Sequence, residues 1–95
     1  MGRAARPKPA RLAEKLREIR EKLELSQGEL VIRLKLKESG VSRSSIAGYE
    51  LGIKEPPLPT ILSYARLVNV IVDVLIDDEL NLPAQLPYLG RRPTA

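Results

Sequence analysis

Arg43 and Ser44 open a short polar segment, SRSSIAGYELG, that runs from Ser42 to Gly52. At helical spacing Arg43, Ser44, Ala47, Gly48 and Leu51 fall on one side of it, and Ser45, Ile46 and Tyr49 on the other. A basic residue in a first helical turn opposes the helix dipole by about 0.3–1 kcal/mol. Arg43 is therefore better explained by a partner than by the helix. Its fork of donors suits an anion, or a guanine edge, where it pairs with O6 and N7 together. The alternative is a solvated arginine with no role. Ser44 can read a base edge or hold a phosphate. Gly48 inside a helix costs about 1 kcal/mol relative to Ala. With Ala47 it leaves the face bare, either for close approach of DNA or because nothing opposes it there. If this face reads bases, the candidates are Arg43, Ser44, Ala47 and Gly48, and DNA shape must supply much of the selectivity.

Other chemistries are poorly served. The 95 residues contain no His and no Cys. Zinc fingers, thiol nucleophiles, Ser-His-Asp triads and haem or iron–sulfur sites are excluded. No nucleophile–base pair remains, so an enzyme is not expected, and neither is a cofactor. Asp73, Asp77, Asp78 and Glu79 cluster, and Asp73 and Asp77 are one helical turn apart. They read as a solvated acidic end held away from DNA, and no metal is expected. Charge is uneven. The chain holds 16 Lys+Arg against 12 Asp+Glu, and residues 1–43 carry 12 of the basic side chains and 6 of the acidic ones. A basic half beside an acidic half fits one surface meeting a polyanion. The longest apolar stretch, Leu67 to Ile76, is broken by Asn69 and Asp73 and is about half the roughly 20 residues of a membrane span. No membrane contact and a cytoplasmic location are expected.

The elements that position these residues follow from period and punctuation. Residues 1–9, with Arg3, Arg6, Lys8 and two prolines, read as a flexible basic arm. Leu12, Leu16, Ile19 and Leu23 form one helical stripe and predict a first helix over 10–24. Ser26 and Glu29 have capping-box spacing and start a second helix, with Leu30, Val31 and Leu34 inward. Its end is open. Leu36, Lys37 and Glu38 can continue it, and Ser39-Gly40 should stop it. Ser42 and Gly52 bracket a third helix over 42–51. IKEPPLP is a turn, and Leu58, Ile61, Leu62, Ala65 and Val68 predict a fourth helix over 59–68. VIVDVLI, residues 70–76, fits a strand or a helical turn. Residues 77–95 read as an extended, Pro-spaced tail.

Two short helices joined by a turn, the second polar on one face, outline a helix-turn-helix. LREIREKLELSQGEL, GVSRSSIAGYELG and EPPLPTILSYARLVNVIVDVLI, in this order and nearly this spacing, resemble the Cro and lambda-repressor type (XRE-like) of helix-turn-helix DNA-binding domain over about residues 11–76. The resemblance implies an all-α, compact five-helix lambda-repressor-like domain at 10–76, between the arm and the tail. It also implies that the third helix lies in the major groove and that VIVDVLI is a short fifth helix. Gln27 matches a position that touches a backbone phosphate, where Ser26 can join it. Arg20 and Glu50 match a structural ion pair between the first and third helices. Lys54, in the turn after the third helix, and Lys37, with Lys35 and Arg33 near the other turn, are further phosphate candidates. Arg3, Arg6, Lys8 and Arg11 form an arm that lies along phosphates or in a minor groove, or that only aids solubility.

The chain departs from that pattern in LKLKESGVS, about five residues longer than the usual turn, and in Leu51, Ile53 and Ile71, aliphatic where polar residues are usual. These exposed aliphatics keep a protein-interaction role open. The function expected is a sequence-specific double-stranded DNA-binding transcriptional regulator, a repressor-like homodimer with its dimer contact on the fifth helix and on Leu80, Leu82, Leu86 and Leu89. The alternative is a protein-interaction module on the same fold, such as an antitoxin that binds a partner protein through the C-terminal tail.

Overall fold

A computed structural model of the chain describes residues 9–35 and 40–86. Arg3, Arg6, Lys8, Lys37 and Leu89 lie outside the described residues. Among the described residues five helices follow in order: α1 (Leu12–Leu23), α2 (Gln27–Leu34), α3 (Arg43–Leu51), α4 (Leu58–Leu67) and α5 (Val72–Ile76). The described residues form no strand, so the ambiguous VIVDVLI segment is helical from Val72.

Local chemistry starts and stops the helices. Ser26 Oγ accepts from Glu29 N at 3.0 Å, and Glu29 Oε1 accepts from Ser26 N at 2.8 Å. That reciprocal pair satisfies two donors that the first turn of α2 would otherwise leave open. α2 ends at Leu34, and residues 36–38, which could have continued it, lie outside the described residues. Lys35 turns into the left-handed region at φ 58° and ends the helix. α3 is opened by a serine version of the same box, Ser42 with Ser45, and closed by Gly52 at φ 76°, a conformation glycine adopts without steric cost.

The core is aliphatic plus two tyrosines. Leu16, Ile19, Leu30, Ile46, Tyr64, Val68 and Leu75 are fully buried. α3 packs on α1 and α2, α4 on α2 and α5, and α5 returns to α1. The longer connection before α3 therefore does not displace it from the bundle. The stripe on α4 is turned from the one expected. Thr60, Ile61, Tyr64, Ala65 and Val68 are inward, whereas Leu58 is 75% exposed and Leu62 lies at the rim. Tyr64 is the largest fully buried side chain, and centring the face between it and Ile61 rotates both leucines out.

Residues 77–86 do not stand apart as a tail. They run along α1 and are held by cations from one of its faces. Arg11 Nη1 donates to Asp78 O at 2.7 Å, Lys15 Nζ to Val74 O at 2.8 Å and to Asp77 O at 2.9 Å, and Lys22 Nζ to Ala84 O at 2.7 Å. Leu82 and Leu86 pack against the core. Lys15, read from sequence as one of the charged residues between the stripe positions, is 1% exposed. Burial, then repulsion by Arg11, pulls its pKa below the ordinary lysine value. In exchange its ammonium satisfies carbonyls at the end of α5, which that helix cannot bond itself. Asp78 closes the other end of the contact. α1 has no side-chain cap of its own, and the Asp78 carboxylate accepts from Ala10 N at 2.8 Å and Arg11 N at 3.0 Å.

Those two backbone donors hold the Asp78 carboxyl below the usual carboxylate range. A depressed pKa in the folded state contributes stability above the unfolded value, about pH 4, that is lost as pH falls through the lower folded value. Asp78→Ala is expected to lower Tm at neutral pH, and the gap between variant and parent should close on titration to about pH 2. Thermal melts across that range check it. A gap independent of pH would contradict the cap. Lys15→Met should cost about 1–3 kcal/mol in urea unfolding, because the carbonyls of Val74 and Asp77 lose their donor.

Candidate nucleic-acid interface

The exposed side of α3 is set by what the other side buries. Ser45, Ile46 and Tyr49 face the bundle, so Arg43, Ser44 and Leu51 are exposed and Ala47 and Gly48 half-buried. Arg43 stands in a first turn with no acidic neighbour in it. Its charge therefore adds to the positive end of the helix, with no acidic side chain in that turn to offset it. Ser44 Oγ lies 3.0 Å from Ser42 Oγ, so the serine hydroxyls at this end are linked to one another.

One carboxylate orients the surrounding elements. Arg20, on α1, donates from Nε to Glu50 Oε2 at 2.7 Å and from Nη2 to Glu50 Oε1 at 3.0 Å. Arg20 Nη1 reaches Leu25 O at 3.0 Å, in the turn between α1 and α2. Gln27 Nε2, on the first residue of α2, joins Glu50 Oε1 at 3.3 Å. The Glu50 side chain is 4% exposed and the Arg20 side chain 19%. The bidentate geometry is the strong form of the arginine–carboxylate pair. The hydrogen bonds from Glu50 push the Arg20 pKa further up, so the guanidinium stays charged.

Gln27 therefore has a structural partner as well as an outward position. One of its amide hydrogens is committed to Glu50, and the carbonyl and second hydrogen remain. The Ser26 oxygen serves α2 as its cap, and Ser26 is exposed. Arg17, Arg20, Gln27, Ala47, Glu50 and Leu51 surround a shallow depression of about 290 Å³ between α1 and α3. Arg17 was not singled out from sequence. It lies one turn before Arg20 on α1, and that spacing was the available signal. Its Nε sits 3.0 Å from Glu21 Oε2 in an exposed pair, which holds it weakly.

Two sequence expectations change here. The face at Gly48 is not bare. A Cβ at that position would stand 3.0 Å from Lys54 Cδ and 3.1 Å from Cγ, because the lysine stem crosses α3 there. Arg11 does not extend the basic arm. Its guanidinium is turned to Asp78 O and, at 3.4 Å, to Leu80 O, because the polar backbone after α5 lies within its reach. Leu51, Ile53 and Ile71 are exposed, as the pattern of the chain required.

A family model described as a helix-turn-helix domain matches residues 11–78. The uncharacterized HTH-type transcriptional regulator YobD of Bacillus subtilis (strain 168) is 33% identical over 63 residues, 66% of this chain and 52% of YobD. YqaE, an uncharacterized HTH-type transcriptional regulator of the same organism, is 29% identical over 69 residues, 73% of this chain and 55% of its own. The chain spans about half the length of the curated relatives it matches. Among solved structures, the P22 c2 repressor protein in complex with synthetic operator 9T superposes with a TM-score of 0.60 at 25% identity, over 70% of this chain and 94% of that one.

Because the Glu50 carboxylate is buried, removing its partner is costly. Arg20→Ala should lose about 3–5 kcal/mol of unfolding free energy, most of it from the stranded charge. Arg20→Met combined with Glu50→Leu should recover a large part of that loss. Chemical denaturation of the two variants distinguishes a buried pair from a solvated one, for which both changes would be nearly neutral.

Proposed function

The chain belongs to the helix-turn-helix domain family, and from that membership and the exposed face of α3 we propose that it is a sequence-specific regulator of transcription that binds double-stranded DNA. α3 enters the major groove. Arg43 reads a guanine through its paired donors, Ser44 and Ala47 touch neighbouring base edges, and Gln27, Ser26, Arg17 and Lys54 hold backbone phosphates on either side. The observation that carries this reading is the presentation of Arg43 and Ser44 on a helix fixed to α1 and α2 by the Glu50 junction. The likeness to a repressor bound to an operator supports it.

The regulator acts as a repressor-like homodimer in the cytoplasm. Two copies place their α3 helices about 34 Å apart on an inverted repeat. Leu82 and Leu86 are already partly buried against the core of their own chain, which leaves them less surface to offer a second copy. The exposed apolar residues at and beyond α5, Ile71, Ile76 and Leu80, are better suited to the dimer contact. Shape and deformability of the DNA share the selectivity, because only a few side chains on α3 reach outward.

Selection of bound duplexes from a random pool, at two salt concentrations, tests the reading. An inverted repeat is expected. Arg43→Ala should relax one position in each half-site and cost about 1–3 kcal/mol per contact there. Steep salt dependence with no selected sequence would mean phosphate contacts alone. No binding at low salt would overturn the proposal.

A further inference from the structure

Gly48 and Lys54 are packed as one unit. Ser44 and Gly48 are one turn apart and share an edge of the outward face of α3. The chain leaves α3 through Gly52 and folds back, and Ile53 N and Lys54 N both donate to Gly48 O, at 3.0 and 3.1 Å. Those two hydrogen bonds to one carbonyl oxygen start Lys54 directly over Gly48. The stem then passes through the space a side chain at 48 would fill, with Cβ, Cγ and Cδ at 3.4, 3.1 and 3.0 Å from the position of a Cβ there. The last two distances are tighter than packed carbons allow without movement, and the atoms concerned belong to a flexible side chain. A methyl group at 48 would therefore displace the lysine rather than the helix.

We infer that Gly48 is a positioning residue for Lys54: its missing side chain seats the lysine stem on α3, so that the ammonium meets a DNA phosphate at the Ser44 edge of the outward face. The inference rests on the proposed DNA-binding function and assigns the glycine a role in it. Gly48 itself touches neither base nor phosphate. Its helix-weakening cost is offset by a cation fixed beside the reading surface rather than swinging free from a turn.

The test measures affinity for a mixed-sequence duplex across a series of salt concentrations, with Tm recorded for each protein. Lys54→Met keeps a stem and removes the charge. It should weaken binding several-fold and reduce the log–log salt slope by about 0.9, one phosphate contact. Gly48→Ala should keep or raise Tm, since alanine favours the helix, yet lose affinity and slope in the direction of Lys54→Met. The double variant should bind no more weakly than Lys54→Met alone, because the two changes remove the same contact. Three results would overturn the inference: Gly48→Ala binding as the parent does, additive losses in the double variant, or a lowered Tm for Gly48→Ala. Absence of salt-dependent duplex binding by the parent chain would instead overturn the proposed function, and this inference with it.

Discussion

The arrangement depends on one buried carboxylate. Glu50 sits on the flank of α3, and three N–H groups from α1 and the start of α2 converge on its two oxygens. An unpaired carboxylate there would be strongly unfavourable, so the geometry is closely constrained. Arg20 also ties the α1–α2 turn through Leu25 O. Apolar packing alone supplies a driving force with no direction. The ion pair and its hydrogen bonds add direction. They set how far α3 is rolled, and therefore which of its residues face outward.

A second set of polar contacts secures the opposite side of the bundle. Arg11, Lys15 and Lys22 hold the backbone of the segment after α5, and Asp78 caps α1 from the far end of the sequence. A small domain buries a limited share of its surface, and this strap extends the core with Leu82 and Leu86. The strap also separates charges by role. The acidic group at Asp78 is spent on α1, while the cationic side chains Arg43 and Lys54 remain exposed at α3 and its turn.

Much of this was legible from residue types. Ser42, Gly52 and the split between Ile46, Tyr49 and the outward residues define α3 through local rules, caps and period, that tertiary context did not override. The Arg20–Glu50 pair was legible only through family resemblance, since no spacing rule joins residues thirty positions apart. Lys15 was not legible. It looks like any helix-surface lysine until the end of α5 is laid over it. The Gly48–Lys54 relation was hidden for a similar reason: a helical wheel says which face a residue occupies and nothing about what crosses that face. On α4 the wheel had too many apolar residues to choose between, and the choice fell to the bulk of Tyr64.

If the Glu50 junction presents the outward face of α3, with its flanks, to DNA, contact should appear on that face and leave the junction intact. Titrating a mixed-sequence duplex into isotopically labelled protein while following backbone and side-chain resonances reads this out. Saturable shifts are expected at Gln27, Arg43, Ser44, Ala47 and Lys54, with Arg20, Glu50 and the strap residues 77–86 little changed. Shifts centred on α5 and the strap, or loss of the Arg20–Glu50 hydrogen bonds on binding, would contradict this presentation of α3.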